Sequence, residues 1–235
     1  MCELERWSRE AQNAPQVDEL DTKKVLDSLA FPQMGLRQAS IDQPMQVTCE
    51  WIFQSSYFQD WACNKRLDQS NGIIWIKGKP GSGKSTIMKR LYEVRRNLAG
   101  TENPARPPLL LEFFFNARGG VLEMTPLGLF RSLVYQLLVA RPALLSRFTQ
   151  KLKSSTRSFD TLTLTLQELQ SFFHESLTLS SHFEIEIFLD ALGECLDDEV
   201  RDIVRSFSSS ASYAVSVGYP LKILLVESTL SPYRC

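Results

Sequence analysis

The chain has 235 residues, 43% hydrophobic and 23% charged, with a formal net charge of −1. This is enough apolar material for one sizeable core, and the near-neutral balance supplies no drive toward nucleic acid. The five scattered cysteines (2, 49, 63, 195, 235) form no CxxC pair and there are only two histidines, His174 and His182, which argues against a disulfide framework, a zinc site or a histidine-based triad. A reducing compartment, the cytoplasm, is expected, and no apolar run approaches membrane-spanning length, so no membrane partner is expected.

Residues 1–24 are polar and read as a linker or the stub of a preceding element. Residues 25–71 read as a helical lead-in. Leu26, Leu29 and Phe31 dock on a core before Pro32 turns the chain, and Thr48 caps a helix whose Trp51, Ile52, Ser55, Phe58 and Trp61 cover one packed face. Residues 72–235 read as the main α/β unit.

That unit opens with GIIWIKGKPGSGKST, from Gly72 to Thr86. Ile73 to Ile76 form a short apolar strand, and Gly78, Gly83, Lys84 and Ser85 fit G-x-x-x-x-G-K-[ST], the phosphate-binding loop. Phosphate oxygens must be approached by several backbone N–H groups. Glycines at 78, 81 and 83 remove obstructing side chains and permit positive φ. The cofactor-binding residues are therefore Gly78, Lys79, Pro80, Gly81, Ser82, Gly83, Lys84, Ser85 and Thr86. A helix beginning near Lys84 aims its free N–H groups at the anion; Lys84 reaches the β- and γ-phosphates, and the Ser85 hydroxyl suits Mg2+. Ile87, Leu91, Val94 and Leu98 keep helical spacing, while Lys89, Arg90, Arg95 and Arg96 read as a solvated face.

Gly100 to Pro108 reads as a turn-rich loop and Leu109 to Phe115 as a buried strand, followed by a loop carrying Arg118. Helices are predicted from Thr125 to Ala140, from Ala143 to Leu152 after a break at Arg141-Pro142, and around Leu164 to Leu177. In FEIEIFLDALGE the apolar strand ends in Asp190, which places a carboxylate at the sheet edge as a Walker B residue for Mg2+. Glu194, four residues on, is the candidate for polarising an attacking water. Asp197 to Phe207 reads as a helix and Leu221 to Val226 as the last strand.

Taken together, TCEWIF, IIWIKGKPGSGKSTIMK, FFFNARG, GLFRSLVYQLL and IFLDALGEC resemble the NACHT nucleotide-binding domain of fungal STAND-type, NLR-like proteins, in the nephrocystin-type N-terminal form. The resemblance covers roughly residues 26 to 226. It implies an additional-strand P-loop NTPase fold with a mostly parallel sheet, helices on both faces and an N-terminal helical segment. It also implies ATP or GTP with Mg2+, self-association through the domain, and signalling in heterokaryon incompatibility or innate-like self/non-self responses.

Two departures bear on turnover. Gly193 stands where the family's D-A-L-D-E-C has its second Asp, and Glu227, Ser228 and Thr229 follow the last strand where the family carries S-R, whose arginine senses the γ-phosphate. A carboxylate there is expected to repel that phosphate. The closing modules and repeats of the family are absent from these 235 residues, so a truncated product is expected. Slow or impaired hydrolysis is the leading expectation, and a degenerate, nucleotide-independent oligomerisation module is the rival. A small-metabolite kinase finds less support, because no lid-like arginine cluster is evident.

Overall fold

A computed structural model of the chain describes residues 18–42, 49–65, 70–102, 107–155, 158–179, 184–195, 197–219 and 221–228. Strands β1 (Ile73–Gly78), β2 (Leu109–Phe114), β3 (Ile185–Asp190) and β4 (Leu221–Ser228) form an all-parallel sheet in the order β1-β4-β3-β2. The last strand is thus inserted between the strand that precedes the glycine-rich loop and the strand that ends in Asp190. This is the additional-strand arrangement of the P-loop NTPase fold. Parallel neighbours need crossover helices, which is why both faces are covered.

Described helices are α1 (Glu19–Leu29), α2 (Leu36–Ser40), α3 (Glu50–Gln54), α4 (Ser56–Ala62), α5 (Lys84–Glu102), α6 (Pro126–Ala140), α7 (Pro142–Lys153), α8 (Leu166–Leu179) and α9 (Asp197–Ser216). The period-two alternation of β3 sorts its side chains between two cores. Ile185, Ile187 and Leu189 join Val25, Leu29, Phe130, Leu133, Phe173 and Phe207 on the side of α1 and α6–α9. Phe188 joins Ile87, Met88, Leu91, Phe58 and Trp61 on the side of α5. Each such side chain, fully buried, contributes roughly 1.5–3 kcal/mol of transfer free energy. By the same alternation Glu186 and Asp190 point toward α5.

The outer edge of β2 is closed by a side chain. The Glu112 N–H donates to Gln136 Oε1 at 2.9 Å, and Gln136 Nε2 donates back to the Glu112 carbonyl at 2.8 Å. Gln136, on α6, thus repeats the donor and acceptor pattern of a neighbouring strand.

Several expectations need correction. The first helix begins at Glu19, inside the segment read as linker. Asp18 caps it by accepting the Leu20 N–H at 2.9 Å, and Lys24 and Asp21 tie it to Asp160 and Lys153 at 2.6 Å each. Its carboxyl end is held by Arg131, which donates to the carbonyls of Ser28, Leu29 and Ala30. The helix expected through Trp51 and Trp61 is broken at Ser55, whose backbone is extended (φ −66, ψ 127). Trp61 is buried and donates from Nε1 to the Gly72 carbonyl at 2.8 Å, whereas Trp51 falls on the solvent side and is 60% exposed. Thr48 and residues 1–17 lie outside the described residues.

The basic stripe of α5 is only in part a solvated face, for Arg96 is exposed and Arg90 half-buried. Lys89 and Arg95 are buried, and Lys89 Nζ donates to the Ile41 carbonyl at 2.5 Å. Arg95 grips Glu186 of β3, which also lies 3.4 Å from Lys222 Nζ of β4. Lys222 in turn donates to the Ala62 carbonyl at 2.6 Å and pairs with Glu184. The helix also runs on to Glu102, into the stretch read as loop.

Candidate phosphate-binding site

β1 hands the chain to an exposed loop, Lys79–Gly83, and α5 begins at Lys84. Gly81 (φ 75) and Gly83 (φ 80) are left-handed, with open space where a Cβ would sit, so backbone conformation alone demands glycine there. Gly78 answers to space instead, because a Cβ on it would lie 3.1 Å from Ser82 Oγ and 3.6 Å from Lys84 Cδ. Lys84 is buried and its Nζ donates to the Lys79 carbonyl at 2.6 Å, which keeps the ammonium inside the curve of the loop. Ser85 and Thr86 follow on the first turn of α5, both half-buried, and Pro80 and Ser82 form the exposed rim.

Asp190 arrives at the carboxyl end of β3, on the α5 face and 1% exposed, with neither carboxylate oxygen hydrogen-bonded. Burial pushes its pKa up to about 6. The neighbouring Ser85 hydroxyl and the Arg37 charge oppose that rise, and Glu194 adds to it. The chain leaves Asp190 through Ala191 in a left-handed conformation (φ 61), a costly geometry for a residue with a Cβ. Glu194 ends a short 3-10 turn (Leu192–Glu194), and its Oε2 accepts the Ala117 N–H from the loop after β2 at 2.5 Å. One oxygen of the candidate water-polarising carboxylate is thus committed to joining the ends of β2 and β3.

A buried carboxylate without hydrogen-bond partners beside a serine hydroxyl suits a hard divalent cation. Mg2+ typically takes one or two carboxylates and completes its shell with phosphate and water. Among the described residues no group of three His, Cys, Asp or Glu side chains could hold a metal ion.

The two departures after β3 and β4 are neighbours. A Cβ on Gly193 would make ordinary contact with Ser228 O (3.7 Å) and Glu227 Cγ (3.8 Å). Glu227 is the register partner of Lys77 and its Oε2 lies 3.8 Å from Lys77 Nζ. Because Leu221, Ile223 and Leu225 face the larger core, alternation turns Glu227 to that face, away from Asp190. Glu227 thus turns from the Asp190 face and lies beside a cation.

Arg37, whose charge acts on Asp190, and Glu112 line one cavity and escaped the sequence reading. Burial pushes the Glu112 pKa up to about 7 against the charges of Arg96 and Lys89, and its Oε2 has no hydrogen-bond partner. A charged residue inside an apolar strand was the available signal for Glu112. Arg37 gave none, since only the tertiary fold brings it here. Elsewhere, His174 is half-buried between Ser206 and Ser210, and burial pushes the Cys195 thiol up to about 12 as it donates to the Met124 carbonyl.

The sheet order, the glycine-rich loop and the buried aspartate define the class: a P-loop NTPase fold of the additional-strand type. The family model "Nephrocystin 3, N-terminal" matches residues 47–226, and the chain belongs to that family, a NACHT-type domain. It is 24% identical over 167 residues to the vegetative incompatibility protein HET-E-1 of Podospora anserina, covering 69% of this chain and 11% of that protein. Among solved structures it is similar to a chain of the Drosophila ORC bound to DNA, with a TM-score of 0.46, 15% identity, and coverage of 93% of this chain and 47% of the other. No described helix is long and apolar enough to cross a membrane.

Proposed function

We propose that this chain is the nucleotide-binding unit of a STAND-type signalling switch, which takes ATP or GTP with Mg2+ and turns it over slowly or not at all. The observation that carries the reading is Asp190, a buried carboxylate with no hydrogen bond, set beside Ser85 at the start of the helix that follows the glycine-rich loop. In this reading the loop amides from Gly78 to Thr86 hold the phosphates and Lys84 leaves the Lys79 carbonyl for the β- and γ-oxygens. Ser85 and Asp190 hold Mg2+, which neutralises phosphate charge when bound. Glu194 orients water with its remaining oxygen, and the lack of a second acid at Gly193 keeps hydrolysis slow. Membership in the family and the similarity to a vegetative incompatibility protein support self-association through this domain and a part in self/non-self signalling in the cytoplasm.

The test is a thermal melt of wild type and Lys84→Ala, alone and with excess Mg-ATP or Mg-GTP. A ligand at about 100 times its dissociation constant adds roughly 2.7 kcal/mol to the native state. An upward shift with one nucleotide, in wild type only, is the expected result. A cooperative melt that ignores both nucleotides would overturn the reading and favour a nucleotide-independent interaction module, for which Gly193 is the specific argument.

A further inference from the structure

The segment from Phe31 to Ile41 wraps the outer edge of the sheet beside β2. Phe31 is buried in the core under α6–α9 and Ile41 in the core under α5, so the segment is anchored in both layers. Between the anchors, Met34 N–H donates to the Phe31 carbonyl and Leu36 N–H to the Gln33 carbonyl, both at 3.1 Å, and left-handed Gly35 (φ 78) starts α2. The position of Arg37 is therefore fixed by the fold.

Arg37 lines a cavity of about 480 Å3 together with Tyr92, Glu112, Phe114 and Gln136. Phe114 is the register partner of Asp190, so this cavity adjoins the carboxyl edge where the buried aspartate sits. Among the described residues the guanidinium has donors to spare: its Nε is buried without a hydrogen-bond partner, and Nη1 reaches Ser40 Oγ at 3.5 Å. A planar fork of N–H donors matches the oxygens of a phosphate. Glu227 at the end of β4 is meanwhile paired with Lys77 on the other face.

We propose that Arg37 is the cation that reads the terminal phosphate of a bound nucleoside triphosphate, reaching it from the N-terminal segment in place of an arginine after the last strand. This rests on the nucleotide-binding reading above. It makes α2 the element that distinguishes a triphosphate from a diphosphate.

The experiment measures dissociation constants of Mg-ATP, Mg-ADP, Mg-GTP and Mg-GDP, as fluorescent ribose-labelled analogues, for wild type, Arg37→Ala and Arg37→Lys. Arg37→Ala should weaken the preferred triphosphate about 10- to 100-fold and its diphosphate less than about twofold, with Arg37→Lys recovering part of the loss. Equal losses for both, or none, would overturn the proposal while leaving nucleotide binding intact. Wild type that binds no nucleotide would sink both readings together. Melts of the nucleotide-free variants establish folding; if Arg37→Ala does not fold, Arg37→Gln, which keeps hydrogen bonds without charge, takes its place, and an unchanged triphosphate-to-diphosphate ratio in it is equally fatal.

Discussion

Arg95 and Glu186 meet as a two-pronged ion pair sealed between α5 and the sheet, with Nε to Oε2 at 3.0 Å and Nη2 to Oε1 at 2.6 Å. Both side chains are almost wholly excluded from solvent. Removing Glu186 takes from the buried Arg95 its two-pronged counter-charge, at a cost of about 3–5 kcal/mol. Glu186→Ala should therefore lower the denaturant midpoint severely or prevent folding. A loss under about 1 kcal/mol would mean that water reaches Arg95.

Asp190 carries the opposite lesson, because its burial is unfavourable to the folded chain. Its folded pKa, about 6, is raised above the ordinary carboxylate value of 3.8, so the native state binds the extra proton between those limits. Stability from this group is fully present below about pH 4 and is lost as pH rises through about 6. Asp190→Asn should raise the stability of the nucleotide-free chain at pH 8 by up to about 3 kcal/mol, and by little near pH 4. The same variant should lose any Mg2+-dependent stabilisation by nucleotide. Melts across pH, with and without Mg2+, measure both effects.

Glu112 should behave in the same direction without the link to phosphate. Its pKa stands at about 7 instead of 4.5, so its contribution falls as pH rises from about 4.5 through 7. Glu112→Gln should gain up to about 3 kcal/mol at pH 8 and almost nothing at pH 4, since a neutral amide avoids the buried charge. Gln136 binds the backbone of residue 112, so the variant leaves that contact in place.

Ala191 stores strain next to Asp190. Replacing it with glycine removes a left-handed penalty of about 1–2 kcal/mol and adds unfolded-state entropy worth about 0.5–1 kcal/mol, for a net gain near 0.5–1 kcal/mol. Ala191→Val should cost more than Ala191→Gly gains, because a β-branched side chain tolerates positive φ poorly. Denaturant midpoints of the two variants check the order.

The parts that were legible in the sequence are those fixed by local rules. Gly81 and Gly83 had to adopt positive φ to bend the loop, and the apolar run from Ile185 to Leu189 had to deliver Asp190 to the edge of the sheet. What stayed hidden depends on partners distant in the chain. Lys89 and Arg95 look like solvent-facing charges on a helix until Ile41 and Glu186 are packed against them. Glu186 was the clue, since a charge within a strand covered on both sides demands a counter-ion from a facing element. Trp51 misled because the spacing assumed one continuous helix, and the extended backbone of Ser55 ended it.

Gln136 has a consequence beyond its two hydrogen bonds. A strand at the margin of a sheet offers its amides and carbonyls to any passing chain, a route to fibrils as well as to misdirected assembly. By occupying the Glu112 backbone with its own amide, Gln136 withdraws part of that margin from such recruitment.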